Sequence, residues 1–214
     1  MPPAFGAIMV HIVRLHDVRA VDQLSDLGVK GNSEETMQAS VYIATSLDGF
    51  IARVNGDIDW LAGGGSADGG EDYGYQEFLE TIDVLVMGRH TYEKALTFAA
   101  WPYGSTPVVV LSSTQVYIPQ HLAASVESMS CAPGELVRRL SGRGARHLYV
   151  DGGKTIQGFL EAGLLQQLII TRIPMLIGSG IPLFGPLTHD IRLRHIETRQ
   201  FANGLVQSKY EVIR

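Results

Sequence analysis

Three stretches of the chain place anion-binding groups where an apolar run gives way to a helical pattern. In VLVMGRHTYE, Gly88, Arg89, His90 and Thr91 follow a run that reads as a buried strand. A strand that turns through a glycine into a helix leaves the first helical N–H groups without intrahelical partners, and the helix dipole favours negative charge there. Arg89 adds a guanidinium fork suited to a phosphate. The second stretch, VVVLSS, brings Leu111 and the hydroxyls of Ser112 and Ser113 to a strand end. The third, YVDGGKTIQGFL, sets Gly152, Gly153, Lys154, Thr155 and Ile156 at another strand-to-helix junction. Each alone reads more readily as a solvated charge, a turn residue or a helix entry. Three at successive strand ends point instead to one anionic ligand.

The usual phosphate motifs do not account for this pattern. Gly153-Lys154-Thr155 resembles the end of a P-loop, but GxxxxGK[ST] requires a glycine where Leu148 stands, and GxGxxG is absent. The seven histidines form no HExxH pair, so no metal ligands are assigned. Ser179 lies in LIGSGIPLF, where Ile177 replaces the first glycine of a nucleophile elbow, and it reads as a turn residue. Cys131 is the only cysteine, which excludes an intrachain disulfide, a multi-cysteine zinc site and a CxxC pair, and suits a reducing cytoplasm. A net charge of -5 gives no electrostatic reason to expect nucleic acid or an anionic membrane as partner. Neither a signal peptide nor a membrane span is legible.

The elements that must position these groups follow from periodicity. Strands are predicted over 41–46, 84–87, 107–111, 147–150 and 167–173, with helices over 72–81, 90–96, 134–140 and 155–161. The last segment reads as two strands joined at Asn203-Gly204. Alternation closed by a hairpin predicts an α/β fold with a mixed, mostly parallel central sheet, helices on both faces and an antiparallel C-terminal edge. Ligands of such sheets sit beyond the carboxyl ends of the strands. Residues 1–38 read as an N-terminal arm or extension and 39–214 as the domain proper. The glycine-rich insertion over 59–74 reads either as a lid beside the ligand edge or as a plain connection.

The motifs YIATSLDGFIA, DIDW, VMGRHTYE, VVVLSS, LYVDGGKTIQGFLEAGLLQQL and PMLIGSGIPLF occur in the order seen in the dihydrofolate reductase-like superfamily. Over 41–214 the chain most resembles the branch similar to the reductase domain of bacterial riboflavin biosynthesis. The resemblance implies NADPH as cofactor. The pyrophosphate would then lie against Gly152, Gly153, Lys154, Thr155 and Ile156, near His90 and Thr91 beside Gly88. The adenosine 2′-phosphate would lie at Arg89 and Ser113, near Leu111 and Ser112, with the nicotinamide against Ala44 and Ile51. A guanidinium and hydroxyl donors are what a phosphate monoester requires, and they select NADP over NAD.

Hydride transfer to a C=N or C=O bond also needs a proton. Asp72 is the candidate donor, because it heads the helix before VLVMGR at a spacing similar to that of the acidic residue of true dihydrofolate reductases. The alternative is that it caps that helix. Asp48 reads as a turn residue that stabilises the loop beside the nicotinamide. No lysine or arginine lies between Lys94 and Pro107, which argues against a folate tail, and the paired HxE and PCxxC motifs of a zinc deaminase are absent. The expected function is reduction of a small pterin-like, pyrimidine-like or carbonyl substrate by a cytoplasmic homodimer. The alternative is a nucleotide-binding or regulatory protein of the same fold without a productive substrate site.

Overall fold

A computed structural model describes residues 37–64 and 72–213. The expected N-terminal arm, up to residue 36, and the middle of the glycine-rich insertion lie outside the described residues, and with them the lid reading of that insertion. The strands are β1 (Gln38–Ser46), β2 (Phe50–Ala52), β3 (Val84–Gly88), β4 (Val108–Leu111), β5 (Val126–Met129), β6 (His147–Asp151), β7 (Gln167–Ile173), β8 (Ile181–Pro182), β9 (Arg192–Gln200) and β10 (Val206–Ile213). The α-helices are α1 (Tyr75–Glu80), α2 (Arg89–Ala95), α3 (Pro133–Ser141) and α4 (Gly153–Glu161).

Eight strands form one sheet in the order β5-β4-β3-β6-β1-β7-β10-β9, and β2 and β8 pair separately. The sheet is parallel from β5 to β7. β10 and β9 add an antiparallel edge through the turn at Gly204. This is the mixed, mostly parallel α/β sheet with an antiparallel C-terminal edge that the sequence predicts. The inner strands are buried along almost their whole length, which is why VLVMG and VVVL read as continuous apolar runs.

Alternate residues of each strand feed two cores. Leu85, Met87, Val108, Val110 and Tyr149 pack with Tyr75 and Phe78 of α1 and Tyr92 and Ala95 of α2. Val84, Val86, Val109, Leu148 and Val150 pack on the other face with Leu136 and Leu140 of α3 and Ile156 and Phe159 of α4. Right-handed crossovers explain the division. The chain travels one way across the sheet from β1 through β3 and β4 to β5, and returns through β6 to β7, so the outgoing helices cover one face and the returning ones the other. Consequently β6 leaves towards one face while its neighbours β3 and β1 leave towards the other, and crevices open beside its end.

The differences from the predicted elements are local. β2, β5 and β8 were not legible: β5 is an edge strand whose two middle residues are exposed, so it shows no alternation, and β2 and β8 have three and two residues. The helix predicted from Asp72 begins at Tyr75, because Tyr73 (φ 58°) and Gly74 (φ 86°) are left-handed and end any helix before them. Phe159 is fully buried between α4 and the sheet. Phe159→Ala is expected to cost roughly 3–5 kcal/mol, read as a lower urea midpoint with an unchanged slope; a loss below about 1 kcal/mol would show that α4 does not depend on this contact.

Candidate functional site

A cavity of about 700 Å³ opens at the carboxyl ends of the central strands. β3 and α2 contribute Gly88, Arg89, His90 and Thr91, and the end of β4 contributes Leu111, Ser112 and Ser113. β6 and α4 contribute Gly152, Gly153, Lys154 and Thr155, while Ala44 and Ile51 line it from β1 and β2. Thus all but one of the residues expected to hold a cofactor share one cavity. The exception is Ile156. Its side chain is fully buried in the core beneath α4, and its amide donates to the Gly152 carbonyl at 2.9 Å, so neither is available to a ligand.

The two helix starts interlock. Gly88 and Gly152 occupy the N-cap positions of α2 and α4, and neither start carries a side-chain cap. A Cβ on Gly88 would lie 3.0 Å from the Thr155 hydroxyl, and one on Gly152 would lie 2.3 Å from that of Thr91. Gly152 also has φ 89°, a conformation open to glycine at little cost. Backbone and threonine hydroxyls therefore crowd together at adjacent strand ends, and the first amides of both helices remain without side-chain acceptors. Such a cradle suits a diphosphate. Arg89 is half-exposed and held only loosely, with Glu93 at 3.5 Å, so its guanidinium is available to an anion. The Ser112 hydroxyl is instead engaged in its own turn, donating to the Thr114 carbonyl and accepting from the Thr114 amide.

Asp72 lines the same cavity, but both its oxygens accept backbone amides, Oδ1 from Gly74 at 3.0 Å and Oδ2 from Gln76 at 2.9 Å. In this geometry it caps the turn that enters α1. The left-handed Tyr73 of that turn is held by a buried network: Tyr42 Oη and Gln207 Nε2 both donate to its carbonyl, and Gln207 reaches Thr171 as well. Burial, above all, pushes the Tyr42 phenol up to about 12, so it is a neutral donor. Asp48 accepts from Ser46 Oγ at 2.6 Å and from the amides of Ile177 and Gly178, and the serine hydrogen bond is the main reason its carboxyl lies below the usual range. It fastens the turn after β1 to the 177–178 loop.

Asp151, passed over in the sequence, is the most perturbed acid on the cavity wall. It ends β6, pairs with Met87 and is only 4% exposed. Oδ1 accepts the Gly152 amide at 2.7 Å. Burial pushes its carboxyl up to about 6, while that amide pulls it down. Around it stand Tyr75, Tyr103 and Tyr149, whose phenols are raised first by burial and then by the Asp151 charge. The Tyr149 hydroxyl donates to the Tyr42 carbonyl at 2.8 Å, and the buried Tyr75 hydroxyl lies beside that of Tyr149. The signal for Asp151 lay in VDGG: an acid continuing a buried apolar strand up to its glycine turn.

Among the described residues no helix is long and apolar enough to cross a membrane, and no cluster of His, Cys, Asp or Glu could hold a metal ion. The family described as the RibD C-terminal domain matches residues 40–207. The uncharacterized protein YwjB of Bacillus subtilis (strain 168) is 36% identical over 168 residues, spanning 77% of this chain and 92% of YwjB. The crystal structure of a protein from Shewanella sp. PV-4, described as a riboflavin biosynthesis protein, superposes with a TM-score of 0.78 at 38% identity, covering 83% of this chain and all of that one. Dihydrofolate reductase from Enterococcus faecalis, complexed with NADP(H), shares the fold at a TM-score of 0.57 and 15% identity, over 84% of this chain and 98% of the reductase. With two-thirds of its length or more matched in each comparison, the chain belongs to the RibD C-terminal domain family and has a dihydrofolate reductase-like fold.

Proposed function

We propose that the protein is an NADPH-dependent reductase acting on a small heterocyclic or carbonyl substrate. The observation that carries this reading is a single cavity that joins an anion cradle at the α2 and α4 starts to an apolar wall at Ala44 and Ile51 and a buried acid at Asp151. The residues fit the cofactor. Gly88 and Gly152 let the Thr155 and Thr91 hydroxyls come close to the starts of α2 and α4, whose first amides carry no side-chain cap. The NADP(H) complex of a protein with the same fold supports the choice.

In this reading Gly152, Gly153, Lys154 and Thr155, with His90 and Thr91, hold the pyrophosphate. Arg89 and Ser113 hold the 2′-phosphate, which gives NADPH its advantage over NADH. Ala44 and Ile51 orient the nicotinamide; when bound, NADPH supplies the hydride. Asp72 keeps the entry to α1 in place and does not supply the proton. The test is a fluorescence titration with both cofactors, followed by NADPH oxidation with a panel of pterins, pyrimidines and simple carbonyl compounds. Equal affinity for NADPH and NADH, or no oxidation with any member of the panel, would count against the proposal.

Arg89→Ala is expected to weaken NADPH binding ~10–100-fold while leaving NADH unchanged; parallel losses for both cofactors would remove Arg89 from the 2′-phosphate. Gly152→Ala forces a side chain onto the Thr91 hydroxyl at an unfavourable φ. It should weaken both cofactors alike and lower stability by roughly 1–3 kcal/mol in urea unfolding. Binding of wild-type strength in this variant would show that the cofactor does not use this cradle.

A further inference from the structure

At the amino ends of β3, β4 and β5, away from the cofactor cradle, a groove of about 410 Å³ runs between the end of α3 and the edge of the sheet. We propose that residues 18–27 of the N-terminal arm form an amphipathic helix whose apolar side docks in this groove.

The groove suits apolar side chains better than a small ligand. Val84, Val108, Val109 and Leu140 line its floor. The polar side chains around them are engaged: Asp83 Oδ2 accepts the amides of Arg146 and His147, Arg143 pairs with Glu127 at 2.5 Å, and Ser125 Oγ donates to the Leu122 carbonyl. A small molecule needs convergent polar groups to orient it. An apolar helix side needs none. Among the described residues β5 pairs only with β4, so the groove also borders an open sheet edge, which folded proteins commonly cover with a helix or a loop.

Three observations point to the arm as the occupant. The chain enters the domain beside the groove: Met37 and Ala145 pack on the core that contains Leu140, and Ala145 and Leu140 line the groove. The Gln38 amide donates to the Arg146 carbonyl at 2.8 Å, which fixes that point of entry. From β6 to β5 is a matter of three strand spacings, about 14 Å, whereas the connector 28–36 extends up to about 30 Å.

The arm also has the right pattern. Val18, Val21, Leu24 and Leu27 fall on one side of a helix and Arg19, Asp22, Gln23 and Asp26 on the other, with Asp17 at the N-cap position and Gly28 just past the end. A helix this short is marginal in water by itself and gains its stability from packing. Charge agrees as well. Arg138, Arg139, Arg143 and Arg146 are exposed around the end of α3, where Glu135 and Glu127 oppose Arg139 and Arg143. The surplus of cations there favours the side of the arm that carries Asp22 and Asp26. The arm precedes residue 40, where the family match begins, so this docking is a feature of this chain and not of the family domain.

The test uses the full-length chain, its Leu24→Asp variant, and a full-length Cys131→Ser chain carrying Ser25→Cys and Ala124→Cys. In hydrogen exchange the amides of 22–27 should be protected at least ~10-fold over their unfolded rates. Leu24→Asp should abolish that protection and lower Tm by roughly 2 °C or more. A short bismaleimide should join the two introduced thiols within one chain, giving a product of monomer mass after denaturation. Amides of 22–27 that exchange at unfolded rates would overturn the proposal, as would an unchanged Tm in Leu24→Asp or the absence of any cross-linked product. A cross-link between two chains assigns the groove to a second copy, and protection over 8–15 in place of 22–27 assigns it to a strand added to β5. Either result overturns the docked helix.

Discussion

The site exists because β1 and β6 stop pairing before they end. Their register runs only to Ser40 and Tyr149, after which β6 stays with β3 as far as Asp151 and β1 stays with β7 as far as Ser46. Backbone groups released by that separation would be costly if left unmade. The Tyr149 hydroxyl satisfies one of them by donating to the Tyr42 carbonyl. The wedge that opens is the floor of the cavity, and its walls are the helices that leave β3 and β6 towards opposite faces.

Two electrostatic regimes meet across the end of β6. On the side of β3 and β4, helix amides, Arg89 and Lys154 make an environment for anions. On the side of α1, a carboxyl is surrounded by phenols and shielded from water, so its charged form is penalised and its protonated form favoured. Gly152 belongs to both regimes. Its amide is committed to Asp151, and its missing side chain leaves room for the Thr91 hydroxyl. One glycine thus joins the uncapped start of α4 to the buried acid, and rigid strand ends hold the two together.

Parts of this were legible because local chemistry repeats at each strand end. MGRHTYE, VLSS and DGGKT could be read as anion sites from glycines, hydroxyls and cations following apolar runs, and these stretches line one cavity. Ile156 entered the set through the resemblance alone, and its amide, four residues after Gly152, already has an intrahelical acceptor. Asp72 looked like a lone acid at a helix head, but an acid there is also the natural acceptor for the first amides of the turn. Asp151 was overlooked for the opposite reason. Burial pushes its carboxyl up, against the pull of the adjacent Gly152 amide, and part of what buries it, Tyr75 and Tyr103, lies 76 and 48 positions away in sequence.

The sequence by itself determined the class of fold, since continuous apolar strands alternating with amphipathic helices have few ways to bury both faces of a sheet. It also determined the chemistry available at each strand end, because glycine, arginine and hydroxyl residues act through short-range geometry. Only the tertiary structure decided which acid is buried and which is spent on a cap. Burial is a property of everything packed around a group, and the desolvation that sets the protonation of Asp151 is absent until distant aromatic residues close over it.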